Sequence, residues 1–186
     1  QIAKGFIYGR GGKKHVVSIP SLKPARVCDI TAADAAAGHQ VIVWTVFDEE
    51  TAILMKLFAQ AGLAAESLTG ATKEKDRSRI LHDFRAGTIR VLVTRADMVG
   101  KGMNFQFCTS MVFSGFNDSF ESIYQAERRC YRPGQTRTVR VHVPLIPELE
   151  GAMFENIEDK RRGFERDCSL CEDLYLEAFK GLGHVA

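Results

Sequence analysis

The sequence lacks the features of membrane and secreted proteins. None of its apolar runs approaches the roughly 18 residues that a membrane-spanning helix requires, and no signal peptide is visible. Its five cysteines are an odd number without the spacing of a disulfide framework, so reduced thiols are the simpler interpretation. We therefore expect a cytoplasmic protein that does not contact a membrane.

Two cofactor motifs are missing as well. The chain has no GxxxxGK[ST] phosphate loop, and no GxGxxG follows its first buried strand, which argues against a stand-alone Rossmann-type enzyme. Cys168 and Cys171 form a lone CxxC, but a zinc site needs two more ligands at matching spacing, and the five histidines are scattered. We expect no metal site in this chain.

Net charge is low, but its distribution is uneven. The 186 residues carry a formal charge of +2, which does not require nucleic acid, and a hydrophobic content of 45% fits one globular domain with a terminal appendage. Residues 125–140, however, contain five arginines and only one acid, Glu127. Such a cluster indicates either a solvated basic face or a surface that binds phosphate.

Apolar strands alternate with amphipathic helices through the middle of the chain. The continuous apolar run Val41–Phe47 predicts a strand that is buried on both faces. Asp48 is predicted to cap the next helix and Thr72 the one after it. Asp48–Glu50 also resemble a magnesium-binding strand end, but without a phosphate loop a helix start is simpler. The predicted strands are 41–47, 65–68, 90–93, 109–114 and 138–143, and the predicted helices between them are 48–61, 72–84 and 119–129.

This alternation predicts an α/β protein with a parallel sheet and right-handed crossovers. The ends of the chain differ from the middle. Residues 1–20 read as a small hairpin around a glycine-rich turn, and a helix over 21–37 opens the α/β domain, which we place at 21–146. Residues 147–186 read as a helical appendage of one or two helices, which serves either as a brace or as a docking surface.

The stretch QAERRCYRPGQ, residues 125–135, carries the candidate chemistry. Arg129 and Arg132 are three residues apart, so they share one face of a helical turn. A guanidinium is a planar, permanently charged fork that matches phosphate oxygens. Because the chain lacks a phosphate loop and begins at Gln1 rather than methionine, we expect a piece of a longer protein that supplies half of a composite phosphate site.

Glycine-containing loops follow two of the predicted strands, and in open parallel sheets ligands bind where the strands end. The loop after the third strand, TRADMVGKGMNFQ, has Thr94 at the strand end and the flexible Gly100 and Gly102 further on. The loop after the second strand offers the Thr69 hydroxyl and Gly70 at a helix start. Each is equally compatible with an ordinary glycine turn or helix cap.

Taken in order, these segments resemble the second (C-terminal) RecA-like domain of superfamily 2 helicases and translocases. The resemblance covers roughly residues 40–144 and is closest to the Swi/Snf-related branch and its phage-type relatives. VIVWTVF is similar to motif IV, TRADMVGKGMNFQ to motif V, and QAERRCYRPGQ to motif VI, whose family pattern is QAxGRxxRxGQ. Three departures stand out: Arg128 replaces the usual glycine, motif V is two residues longer, and the acid that normally precedes motif VI is missing.

The resemblance implies a RecA-like fold and a role in an ATP-driven motor that moves on nucleic acid, DNA rather than RNA. It implies that Arg129 and Arg132 reach the γ-phosphate of ATP, which a first RecA-like domain would hold together with Mg²⁺. It further implies that Gly102, Asn104 and Gln125 contact or sense the nucleotide, and that Thr69, Gly70, Thr94 and Arg95 contact the nucleic-acid backbone.

On this interpretation the chain alone is inactive as an ATPase, since the phosphate loop, the magnesium carboxylate and the water-positioning acid would lie on the other domain. The alternative from another class is a non-catalytic module that uses the basic cluster to bind nucleic acid or an acidic partner. The two differ in whether Arg129 and Arg132 matter for turnover or only for binding.

Overall fold

The computed structural model describes residues 1–10, 15–98 and 103–182. Seven strands are present among the described residues: β1 Phe6–Tyr8, β2 Val16–Ser18, β3 Val41–Thr45, β4 Ala65–Leu68, β5 Val91–Arg95, β6 Ser110–Phe113 and β7 Arg140–His142. The α-helices are α1 Lys23–Ala36, α2 Asp48–Gln60, α3 Glu74–Ala86, α4 Phe120–Cys130 and α5 Pro147–Leu182, and a short 3-10 helix covers Ile2–Lys4.

Five of these strands form one parallel sheet in the order β4-β5-β3-β6-β7. The three central strands are buried almost completely because helices cover both faces, which explains their unbroken apolar sequences. Helices α1 and α2 pack on one face, where Phe58 meets Val43. Helices α3, α4 and α5 pack on the other, where Phe84, Ile123 and Ile157 share a core with Trp44. The predicted RecA-like α/β sheet is confirmed.

The remaining two strands, β1 and β2, form the predicted antiparallel hairpin near the N-terminus. The N-terminal segment and the start of α5 pack against the α/β core through one buried carboxylate. The Nζ of Lys23 lies 2.6 and 2.7 Å from the carboxylate oxygens of Glu150, and the Nζ of Lys4 lies 3.2 Å from Glu150 Oε1. The first half of α5 is therefore part of the core, whereas its second half is exposed along its described length. Of the one or two helices expected, one is present.

Two helix starts differ from the sequence prediction. Helix α2 begins at Asp48, but the carboxylate that closes its first turn belongs to Glu50, which accepts from the backbone N–H groups of Val46 and Phe47 at 2.9 and 3.4 Å. Helix α3 begins at Glu74, so Thr72 is not its cap. The Thr72 hydroxyl instead accepts from the backbone N–H of Thr69 at 3.0 Å and closes the preceding turn.

None of the helices that the structure describes is both long and apolar enough to cross a bilayer. Cys28, Cys108 and Cys130 are buried thiols, and Cys168 and Cys171 are exposed thiols on α5. Among the described residues, no group of three or more histidine, cysteine, aspartate or glutamate side chains could hold a metal ion.

Candidate functional site

The predicted site residues lie at two opposite edges of the sheet. At the carboxyl edge, where strands end, lie the loops after β3, β4, β5 and β6; at the amino edge, where strands begin, lies the end of α4. The segment 103–109 also lies at the amino edge, because Phe105 N–H donates to the carbonyl of Arg129 at 2.9 Å. Its Cys108 thiol donates to Gln40, the residue before β3, at 3.0 Å. The TRADMVGKGMNFQ loop leaves the carboxyl end of β5, as predicted, and its second half, from Met103, lies at the amino edge.

The two predicted arginines lie together at the amino edge. Arg129 is half-buried in the last turn of α4, and Arg132 follows two residues after the helix ends and is exposed. Burial, and then the positive charge of Arg132, lower the pKa of Arg129. Two guanidinium groups that repel each other in a partly desolvated place gain when an anion binds between them.

Arg132 begins a tight turn. The backbone N–H of Gln135 donates to the carbonyl of Arg132 at 3.0 Å, which closes a four-residue β-turn. Pro133 occupies the second position, and Gly134 occupies the third with φ of 88°. This is the residue pattern of a type II turn, which needs glycine or asparagine at the third position. The turn fixes the backbone from which the Arg132 side chain projects.

Two side-chain amides join this turn to the segment 103–109, and a third, that of Asn104, bonds to one of them within the segment. Gln106 donates from Nε2 to the carbonyl of Pro133 at 2.8 Å, and Gln135 donates from Nε2 to the carbonyl of Gln106 at 2.7 Å. Asn104 donates from Nδ2 to Gln106 Oε1 at 3.0 Å and accepts from the Gln106 N–H at 2.9 Å. We call Asn104, Gln106 and Gln135 the amide cluster. The sequence resemblance had pointed to Asn104 and Gln135, but not to Gln106.

The other arginines of the basic segment have structural contacts. Arg128 lies over the rings of Tyr124 and Tyr131, 5.7 and 5.8 Å from their centroids, a cation–π arrangement. Arg137 donates to the carbonyl of Phe107 at 2.7 Å, and Arg140 pairs with Asp34 at 3.2 Å. Arg128, the residue that replaces the usual glycine, is therefore a partner of two tyrosines. The segment is not a uniformly solvated basic face.

The remaining predicted nucleotide contacts are placed as follows. Gln125 is exposed on α4 and precedes Arg129 by four residues, so both lie on one side of the helix. Asn104 is exposed within the amide cluster. Gly102 lies outside the described residues.

At the carboxyl edge, Thr69 and Gly70 form a closed turn. The Thr69 hydroxyl accepts from the backbone N–H of Ala71 at 3.3 Å, and the Thr69 carbonyl accepts from the N–H of Thr72 at 3.1 Å. Gly70 is exposed at the tip of this turn, near the sulfur of Met98. The turn therefore presents backbone to solvent on the side opposite the arginine pair.

Thr94 and Arg95, which end β5, are less available than the sequence indicated. Thr94 is fully buried and its hydroxyl donates to the carbonyl of Leu68 at 3.1 Å, so it joins two strand ends. Arg95 pairs with Asp97 at 2.8 Å and with Asp48 at 3.2 Å. The hydrogen bonds that Arg95 donates to Asp97, together with the two carboxylate charges, raise the pKa of Arg95. Three of its five N–H groups bond to these carboxylates, so a phosphate that binds Arg95 competes with them for its charge.

Helix α5 holds α4 from outside the sheet. Arg161 makes two hydrogen bonds to Glu127, at 2.8 and 3.0 Å, and the ring of Phe164 lies 5.1 Å from that of Tyr124. The bonds to Glu127 raise the pKa of Arg161. The sequence analysis did not predict these contacts between α5 and α4. The one hint in the sequence was that Glu127 is the single acid in the basic segment.

A five-stranded parallel sheet with helices on both faces defines the RecA-like α/β class. The chain belongs to the family described as the helicase conserved C-terminal domain, whose sequence pattern matches residues 22–134. This confirms the resemblance to the C-terminal domain of Swi/Snf-related superfamily 2 helicases.

Several individual proteins are similar to the chain. Helicase SWR1 of Candida glabrata is 29% identical over 130 residues, which cover 67% of this chain and 9% of that protein. Chromatin-remodeling ATPase INO80 of Saccharomyces cerevisiae is 25% identical over 151 residues, covering 78% and 10%. The crystal structure of the C-terminal part of the Fun30 ATPase domain has the same fold, with a TM-score of 0.66 at 18% identity, covering 74% of this chain and 45% of that one. The chain thus spans about a tenth of the length of these curated relatives.

Proposed function

We propose that this chain is the second motor domain of an ATP-dependent helicase or translocase that acts on DNA. In this proposal Arg129 and Arg132 are arginine fingers for ATP held on a first RecA-like domain. The observation that carries the proposal is the arginine pair itself: Arg129 is partly buried with a lowered pKa, beside an Arg132 that is fixed by a turn.

The residues at the amino edge suit the outer side of a nucleoside triphosphate. Charge on the γ-phosphate is spread over its equatorial oxygens during transfer to water, and guanidinium forks stabilise that charge. Asn104 and Gln125 add amides that match the polar remainder of a nucleotide. In this proposal Mg²⁺ is held with ATP mainly by the first domain; among the described residues of this chain, no group of three or more histidine, cysteine, aspartate or glutamate side chains could hold a metal ion. When bound, the ATP–magnesium complex supplies the phosphoryl group and neutralises its negative charge.

The carboxyl edge is proposed to carry the nucleic acid. The Thr69–Gly70 turn exposes backbone there, and a cleft of about 320 Å³ lies beside Arg95. Contacts of this kind bind phosphates and shape without reading sequence, as a motor that moves along any sequence requires. DNA is favoured over RNA because the similar proteins include one named chromodomain-helicase-DNA-binding protein 1-like and a chromatin-remodeling ATPase. The cytoplasmic location expected from the sequence stays a prediction.

The test is ATP turnover by the protein in which this chain is joined to its first motor domain. Arg132→Ala is expected to lower kcat by about 10³-fold or more, as loss of an arginine finger does. Arg26→Ala, which removes an exposed arginine of α1, is the matched control and is expected to leave kcat unchanged. If Arg132→Ala weakens DNA binding but keeps normal turnover, the chain is a binding module and the finger role is wrong.

A further inference from the structure

We propose that Gln106 is a positioning residue that makes the Asn104 segment and the Arg132 turn move as one unit. The inference rests on the proposed function, which explains why the two parts should move together. In that function the arginine finger Arg132 and the nucleotide-facing amide of Asn104 have to reach ATP at the same time. Gln106 itself does not touch the nucleotide in this proposal.

All four polar groups of Gln106 are used in the amide cluster. Its backbone N–H and its Oε1 bind the side chain of Asn104, at 2.9 and 3.0 Å. Its Nε2 and its backbone carbonyl bind the turn that follows Arg132, through Pro133 and Gln135, at 2.8 and 2.7 Å. Gln106 thus bonds twice to the side chain of Asn104 in its own segment and twice to the Arg132 turn, and both polar atoms of its side-chain amide take part.

The turn is stiff enough to pass on this constraint. Arg132 is its first residue, Pro133 has a fixed φ, and the N–H of Gln135 closes it at 3.0 Å. Gly134 lies next to the amide, since a Cβ built there would be in van der Waals contact with Gln106 Nε2, at 3.9 Å. A shift of Gln106 therefore shifts the backbone that carries Arg132.

The packing of the segment does not depend on the Gln106 side chain. Phe105 and Phe107, on either side, anchor the segment to Phe84, with ring centroids 6.0 and 5.5 Å apart. Gln106 is only half-buried between them and makes no contribution to the hydrophobic core. Its hydrogen bonds are separable from stability, which allows the positioning role to be tested.

Gln106→Glu is the sharpest variant because it changes one bond. A carboxylate at this position still accepts from Asn104 Nδ2, but it cannot donate to the Pro133 carbonyl, and it repels that oxygen. We expect kcat for ATP to fall about ten- to hundredfold, the effect of a small misplacement of a catalytic group, with little change in KM. Gln60→Glu, an exposed glutamine in the last turn of α2, is the charge-matched control and is expected to keep normal kcat.

The decisive measurement combines this variant with Arg132→Ala in the two-domain protein. If Gln106 acts through Arg132, Gln106→Glu causes no further loss of kcat once Arg132 is alanine. The melting temperature of the Gln106→Glu variant should also equal that of the Gln60→Glu control. A loss that multiplies with that of Arg132→Ala, or one explained by a lower melting temperature, contradicts the positioning role. If Gln106→Glu has normal kcat while Arg132→Ala has strongly reduced kcat, this inference alone is wrong. If Arg132→Ala itself has normal kcat, the proposed function is wrong.

Discussion

Replacement of Glu150 by glutamine tests how the N-terminal segment and the start of α5 are held to the core. Glu150 is the common partner of Lys4 and Lys23, and the three side chains are 4%, 5% and 2% exposed. Burial alone would raise the pKa of Glu150, but the hydrogen bonds from Lys23 and the charges of both lysines outweigh it and hold the pKa below its usual value. Burial also lowers the pKa of Lys23 despite this partner. The ion pairs thus stabilise the charged forms of Glu150 and Lys23, which burial alone would disfavour.

Removal of one partner from a buried ion pair costs about 3–5 kcal/mol, because the remaining charge stays desolvated. A glutamine oxygen still accepts one bond, so we expect the lower end, about 3 kcal/mol. At about 2–4 °C per kcal/mol for a chain of this size, the melting temperature should fall by roughly 6–12 °C. The assay is urea and thermal unfolding of this chain at pH 7, followed by circular dichroism.

Asp159→Asn is the control for a pair of the same chemistry at the surface. Arg162 and Asp159 are 63% and 71% exposed, so the loss should stay below about 1 kcal/mol. The triple variant Lys4→Met, Lys23→Met and Glu150→Met removes all three buried charges and should recover part of the loss. If Glu150→Gln lowers the free energy of unfolding no more than the control does, the buried carboxylate does not hold the N-terminal segment and α5 to the core, and the reasoning is refuted.

Two further predictions concern the stability of this chain. Gly115→Ala should cost about 1–3 kcal/mol in urea unfolding, because the new Cβ would lie 2.7 Å from both Lys4 Cε and Glu50 Oε2; an unchanged midpoint would show that these side chains move aside. Burial alone would raise the pKa of Asp34, but hydrogen bonds from Ser110, His142 and Arg140 outweigh it and lower that pKa. The stabilisation is therefore present above the usual aspartate value of 3.8 and lost as pH falls through the lowered one, so Asp34→Asn should flatten the acid limb of the stability profile; an unaltered acid limb would contradict this.

The sheet was predictable because its determinants are local. The apolar run that starts at Val41 and the repeat of strand and helix each follow from a few neighbouring residues, and the structure keeps all five core strands within one or two residues. Most differences lie at strand ends. β7 is predicted as 138–143 but spans only Arg140–His142, as expected of an edge strand with one neighbour.

The contacts that the sequence did not reveal join residues that lie far apart along the chain. Glu50 closes the first turn of α2 while it also accepts from Ser114, 64 residues away. Gln106 meets Pro133 across 27 residues and Gln135 across 29. The two partners of Arg128 differ in this respect: Tyr124 lies four residues before it, at helical spacing, whereas Tyr131 follows the end of α4 in extended backbone.

The two edges of the sheet suggest how nucleotide and nucleic acid communicate in the proposed motor. Helix α4 joins the end of β6 at the carboxyl edge to the arginine pair at the amino edge, and the chain after β5 makes the same crossing to reach the amide cluster. Both paths meet where Phe105 N–H bonds the carbonyl of Arg129 at 2.9 Å. In the proposed motor, a force from ATP on Arg129 or Arg132 would reach the edge proposed to bind nucleic acid through helix α4. Helix α5 braces α4 through Arg161 and Glu127, so it stiffens the route without touching either ligand.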